Sequence, residues 1–190
     1  HTTSVQIAAN RQSEFILVHT EKDLSDLLLN AKLVESHPGD AIRLVARAYV
    51  LNALHQLDPT HKRDLVDFLF TTNLISGRQP IVNLSEADLS RVDFSNQDLS
   101  QVNFGGTNLS GANLSNAKLV GADLSQTDLA GANLNQANGA GANLRQSNLN
   151  NARCSGANLE GADFQGVSLS NTVLDHADLF KARNVQPVLH

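Results

Sequence analysis

Chemistry in a protein needs polar side chains that converge, so the first question is which ones this sequence can bring together. Seven histidines and one cysteine are the most versatile candidates in 190 residues. His55 and His61 fall on different helical segments and lack the spacing of metal ligands. His176 stands between Asp175 and Asp178, a weak metal-site pattern that a solvated surface explains as well. Residues 82–181 hold no other histidine, so no Ser-His-Asp triad can be assembled there. Cys154 has no basic neighbour spaced to favour a thiolate, and it reads as a small inert hydrophobe. The run Asn138-Gly139-Ala140-Gly141 is glycine-rich but does not join a strand to a helix, so it is not a phosphate loop. The expectation is a non-enzymatic chain with no catalytic, cofactor-binding or metal-binding residue.

Composition narrows the class further. Hydrophobic residues make up 41%, enough for a folded core, but aromatics are only 4%, with no Trp and with Tyr49 alone. The interior must then be filled by Leu, Val and Ala, which favours a narrow, regular bore. A net charge of −5 lacks the basic footprint of a nucleic-acid binder, so no direct nucleic-acid contact is expected. A single cysteine excludes a disulfide framework and fits a reducing compartment, so the cytoplasm is the expected location. Apolar runs such as Phe15-Ile16-Leu17-Val18 fall far short of the roughly 20 residues that span a bilayer. No secretory signal pattern is visible. Methionine is absent even at position 1, so the chain reads as a fragment, a processed form or a trimmed form, with His1 readable as a tag remnant.

The elements that must position these residues change character near residue 77. Before it, apolar residues recur at helical spacing. Asp40, after Pro38-Gly39, is placed to cap a helix over about 41–57, with Ile42, Val45, Ala46, Tyr49, Ala53 and Leu57 on its apolar face. Asp58-Pro59 opens a second helix running to about Asn73, with Leu65, Phe68 and Leu69 inward. An earlier helix starts after Thr20, with Asp23 as a box-like partner and Leu24, Leu27, Leu28 and Ala31 lining its face. Residues 1–19 remain open between helix and short strand.

After residue 77 the period becomes five, matching neither helix nor plain strand. The central places read Leu84, Leu89, Phe94, Leu99, Phe104, Leu109, Leu114, Leu119, Leu124, Leu129, Leu134, Gly139, Leu144, Leu149, Cys154, Leu159, Phe164, Leu169, Leu174 and Leu179. Only Gly139 and Cys154 break the Leu or Phe rule, so nineteen of these positions, all but Gly139, are expected in the core. Two places earlier sit small residues such as Ala87, Val92 and Ala112, and one place earlier Asp or Asn dominates.

Runs such as Glu86-Ala87-Asp88-Leu89-Ser90 and Gly111-Ala112-Asn113-Leu114-Ser115 resemble the A(D/N)LXX unit of pentapeptide repeat proteins, over twenty consecutive units from 82 to 181. The resemblance implies a mainly β fold, a right-handed quadrilateral β-helix with four units per coil and about five coils. The expected organisation is an α-helical N-terminal cap (1–76), the repeat solenoid (77–183) and a C-terminal tail (184–190). The segment from Ala46 to Asp58 and on to Ile75 resembles the soluble stretch that precedes the repeats in many bacterial, largely cyanobacterial members. That likeness implies a membrane-tethered longer form as the alternative location.

Sorting the units by twenty residues puts like on like: Ala87, Thr107, Thr127, Ser147 and Val167 on one side, Val82, Val102, Ala122, Ala142 and Ala162 on another. One coil has no core of its own, so coils must stack, each buried Leu contributing roughly 2 kcal/mol. Five coils about 4.8 Å apart make a rod on the order of 24 Å long. Gly139 replaces a Leu between Leu119 and Leu159, which leaves either a local collapse or a filled void, or a dent or bend that marks a binding surface.

Two functional classes follow from the resemblance. The first is a structural or protein-interaction module whose partner is a protein of unknown identity. Its helical block would cover the first coil, and Phe180 with the tail Asn184 to His190 would fold over the last coil or mediate dimerisation. The second is a DNA-mimicking inhibitor or protector of a type II topoisomerase. Ten acids oppose five bases over 82–181, a net −5. That is about one net charge per 5 Å of rod against one per about 1.7 Å in DNA. Acids also fail to stack, since Asp98 is followed by Lys118 and Asn138. The interaction module is therefore the favoured reading.

Overall fold

The computed structural model describes residues 2–185. Helix α1 spans Thr2–Leu29, a 3-10 turn Leu33–Glu35, helix α2 Ala41–Gln56 and helix α3 Pro59–Thr71. Helix α1 runs straight through Thr20, which caps nothing: its Oγ1 donates to the Ile16 carbonyl at 2.8 Å. No Gly or Pro interrupts residues 1–29, so the open stretch before Thr20 joins the same helix. Asp40 stands at the N-cap of α2, but its carboxylate accepts from the His37 N–H at 2.7 Å instead of capping the helix. Asp58 does cap α3, accepting from the N–H groups of Thr60 and His61, with Pro59 in the first turn.

The inward face of α2 is rotated from the expected one. Ala46, Val50, Ala53, Leu54 and Leu57 are buried, whereas Val45 and Tyr49 are exposed. Both stripes are apolar, and the side that finds neighbours wins. Leu65 and Leu69 of α3 are buried as expected, but Lys62 and Val66 join them while Phe68 is only half-buried. In α1 Leu24 is buried, Leu27 and Leu28 are half-buried, and Ala31 is exposed beyond the helix end.

From residue 82 the chain winds in four-sided coils of twenty residues. Parallel bridges link each ladder residue to the one twenty later, as in Asp88↔Asn108↔Asp128↔Asn148. Leu109, Leu129 and Leu149 lie in that register and are buried. The N–H of the central residue donates to the next coil, as in Leu109 to Asp128 O at 2.7 Å, and the ladder residue donates to the previous one, as in Asn108 to Ala87 O at 2.9 Å. Among the described residues the coils meet through isolated bridges, not extended strands. This differs from the mainly β expectation, because each five-residue side spends its remaining residues on a turn.

Each turn has the same chemistry. The N–H of Ala87 returns to Leu84 O at 2.9 Å, with Glu86 at φ 69. Positive φ at the third residue defines a type II turn. Gly or Asn fills many of these corners, but Arg91, Gln126 and His176 hold left-handed φ too. The preceding Asp or Asn steadies the turn locally: Asp88 Oδ1 accepts from the Ser90 N–H at 3.0 Å, and Asn113 Oδ1 from the Ser115 N–H at 3.2 Å.

The start of the solenoid departs from the repeat. Residues 74–77 run antiparallel along the first full coil edge, with Ser76 bridged to Val102. Ile75 O accepts from the Asn103 N–H at 2.8 Å, taking the role that Val82 would hold in a regular ladder. Val82 is buried, with its N–H on Leu74 O. At the far end Leu169, Leu174 and Leu179 are only half-buried, unlike the fully enclosed positions from Leu84 to Phe164. The reason is geometric: no coil among the described residues lies beyond them. The tail residues 186–190 lie outside the described residues.

Candidate functional site

The positions singled out for chemistry do not come together. His61 lies against Asp58 (Nδ1 to Oδ2, 2.7 Å) as part of the α3 cap. His55 is exposed on α2, and His176 is exposed at a left-handed corner. Among the described residues no group of three or more His, Cys, Asp or Glu is placed to hold a metal ion. Cys154 is buried in the bore, and burial pushes its thiol up to about 12. A thiol so shielded is a poor nucleophile.

Gly139 is neither a dent nor a bend. Its N–H donates to Asn158 O at 2.7 Å and Gly141 continues to Glu160 O at 2.7 Å, so the ladder runs unbroken. The missing side chain leaves a cavity of about 10 Å³, lined by apolar residues including Leu119, Leu144, Cys154 and Leu159. A Cβ built on Gly139 would stand 3.1 Å from Leu159 Cδ2, so the Leu159 methyl has moved into most of the vacated space. What remains is at the lower limit for one water and has no polar partner to hold it.

The bore also carries hydroxyls. Thr107 and Thr127 are buried, and each donates across a coil, Thr127 Oγ1 reaching Phe104 O at 2.8 Å. Ser147 is satisfied within its own turn by Leu144 O. Outside, asparagines bond acids one coil away: Asn108 Nδ2 to Asp88 Oδ1 at 3.2 Å, Asn113 to Asp93 at 3.0 Å and Asn148 to Asp128 at 3.0 Å. Lys118 approaches Asp98 at 3.4 Å. The Ser100 hydroxyl and N–H hold the Asp98 carboxyl below the usual range, with Lys118 adding to the effect.

The junction of helices and solenoid depends on residues that sequence reasoning passed over. Lys62 is buried, and its Nζ donates to Asp88 Oδ2 at 3.0 Å. Burial works to raise the Asp88 carboxyl, but Ser90 and then Lys62 outweigh it and hold it at about 2. Arg47 bonds the carbonyls of Asn83 and Ser85, and Gln97 bonds Asp67. One signal was available for Lys62: it occupies the buried stripe of α3 with Leu65, Val66 and Leu69, where an unpaired cation would be costly.

The stacked twenty-residue coils, their type II corners and their Leu-filled bore define a pentapeptide solenoid closed at one end by helices. The pentapeptide repeats family model matches residues 82–116, 117–153 and 152–183, and the chain belongs to that family. Among solved structures, the pentapeptide repeat protein Rfr23 of the cyanobacterium Cyanothece 51142 is 39% identical, over 56% of this chain and 63% of its own, with a TM-score of 0.39. A pentapeptide repeat protein of the Arabidopsis thaliana thylakoid lumen is 37% identical over 50% of this chain and 63% of its own, with a TM-score of 0.40. QnrB1, a plasmid-mediated fluoroquinolone resistance protein, is 21% identical over 53% of this chain and 69% of its own, with a TM-score of 0.34. The chain thus spans less than two thirds of the length of the first two. No curated protein matches it. Among the described residues no helix is long and apolar enough to cross a membrane.

Proposed function

We propose that this chain is a non-enzymatic protein-interaction module, working in the cytoplasm or as part of a membrane-tethered form. Residues 1–76 serve as its cap, 77–183 as a right-handed quadrilateral β-helix and 184–190 as a tail. The observation that carries the reading is how the outer ladders use their polar groups. Their Asp and Asn side chains are spent on the local turn and on the next coil, which yields a stiff patterned surface rather than a converging reactive set. Solenoids act by presenting such surfaces to partners.

The DNA-mimic alternative is the weaker one. Asp88, Asp93, Asp98, Asp123, Asp128 and Asp163 are each followed one coil on by Asn, Lys or Arg. A phosphate-like stripe needs acid upon acid. Inhibition of gyrase supercoiling at micromolar protein would reverse this preference.

The test of the interaction reading is affinity capture from a lysate of the source organism, with charge-reversed outer-face variants beside the native chain. A discrete protein retained by the native chain and lost from a variant supports it. Equal retention by all of them, or none at all, overturns it. Light scattering decides between a monomer and a dimer joined at the end bearing Leu169, Leu174 and the exposed Phe180.

A further inference from the structure

One side of the molecule carries charge of the opposite sign to the whole. A groove of about 530 Å³ lies where helix α2 meets the first coil, and it is lined by Arg43, Arg47 and Arg78. A second groove of about 550 Å³ follows the coils and is lined by Arg78, Arg145 and Arg183. A smaller one of about 240 Å³ lies between Arg78 and the glycine corners Gly121 and Gly141. Arg78 borders all three, so they make one trough running along the solenoid axis. Five of the fourteen Lys and Arg line it, against two of the nineteen acids, Asp123 and Asp163, in a chain of net charge −5.

That positive charge is only partly neutralised: Asp123 and Asp163 lie beside Arg78, Arg145 and Arg183 and leave one net positive charge in that stretch. Arg78 is exposed, and no hydrogen bond or ion pair engages it among the described residues. Arg43 bonds the neutral Ser36. Arg47 bonds two carbonyls and lies 3.6 Å from Glu86, an acid largely in solvent. Arg145 and Arg183 share the single carboxylate of Asp163, at 3.4 and 3.6 Å. At Gly141 a side-chain atom would meet nothing within 4 Å, so the floor there is open backbone. Four coil steps of about 4.8 Å separate the level of Asn103, beside Arg78, from that of Arg183. An extended chain rises about 3.3 Å per residue, so roughly six residues fit along it.

We propose that this trough is the docking site for an extended acidic segment of the partner protein, its carboxylates paired with Arg78 at one end and with Arg145 and Arg183 at the other. This names the partner chemistry of the interaction reading and rests on it. Guanidinium groups match carboxylates in bidentate pairs, and the trough's total charge is too small to hold a duplex.

The probe is a fluorescein-labelled decapeptide of alternating Glu and Ala, followed by anisotropy on the full chain at low and near-physiological salt. Saturable binding that weakens with salt is expected. Arg78→Glu, which breaks no hydrogen bond or ion pair among the described residues, should weaken it at least fivefold, and Arg78→Glu with Arg145→Glu at least tenfold. Arg91→Glu with Arg153→Glu changes the net charge equally elsewhere on the solenoid and should leave binding within twofold. Asp163→Asn frees two guanidinium groups and should tighten it. Superimposable circular dichroism confirms the fold of each variant. Absence of saturable binding, equal losses in the two double variants, or equally tight binding of an oligothymidylate of the same length overturns the proposal. If the lysate partner is still held by the Arg78→Glu, Arg145→Glu variant, this site falls while the interaction reading stands.

Discussion

Lys62 Nζ lies 3.0 Å from Asp88 Oδ2, so a buried cation from α3 meets the first acid of a ladder on the side where no coil precedes it. Asn108 bonds the same carboxylate from the opposite side. The helical cap thus joins the solenoid by extending its outer bonding pattern as well as by covering its apolar bore.

Replacing Lys62 with Met should therefore weaken the cap. Asp88 is about half exposed and can rehydrate, which limits the loss to about 1–2 kcal/mol of unfolding free energy. Urea titration checks this; an unchanged midpoint would show that apolar contact alone holds the helices in place.

Acid should act at the same joint. The Asp88 carboxyl is held at about 2, below its ordinary 3.8. A carboxylate with a lowered folded value stabilises the native state above the unfolded pKa, and that contribution disappears as pH falls from about 4 towards 2. Asp88→Asn should show a flatter stability profile across this interval than the native chain.

Gly139 offers a test of bore packing. Gly139→Ala brings a methyl to 3.1 Å from a flexible Leu159 methyl, and its effect should stay within about 1 kcal/mol. Gly139→Leu restores the repeat rule in space that Leu159 already fills, and should cost about 1–3 kcal/mol in denaturant titration.

Gly131 isolates the backbone. It has φ 66, and an added Cβ would meet nothing within 4 Å, so Gly131→Ala should cost about 1 kcal/mol from conformation alone. Gly139→Ala, at a corner-free position, should cost no more despite its tighter surroundings.

Cys154 reports on opening of the bore. Its burial and raised thiol predict that a disulfide-exchange reagent reacts only as fast as the native chain unfolds. Reaction at the rate of a free thiol in native buffer would contradict the enclosed position.

The period of five made the inward residues legible, because a side of fixed length returns every central residue to the same place. The caps and phases of the helices were harder. Two apolar stripes compete on α2, one with Ile42, Val45 and Tyr49 and one with Ala46, Val50 and Leu54, and only the packed partner decides between them. The segment at residues 74–77 was invisible, since nothing in its composition says that Ile75 will replace Val82 in the ladder. The arginine trough was hidden for a related reason. Counting in twenties aligns Arg183 with Asp163 and with Asn143, two residues before Arg145, but Arg78 reaches them from a segment outside that count.

The twenty-residue winding makes this molecule sensitive to insertions by number rather than by size. Adding a whole circuit between Arg78 and Arg145 would lengthen the shaft and keep both on one flank. Removing a single five-residue step would swing everything downstream through a quarter turn, leaving Arg145 and Arg183 facing a different direction from Arg78 although no side chain had been altered.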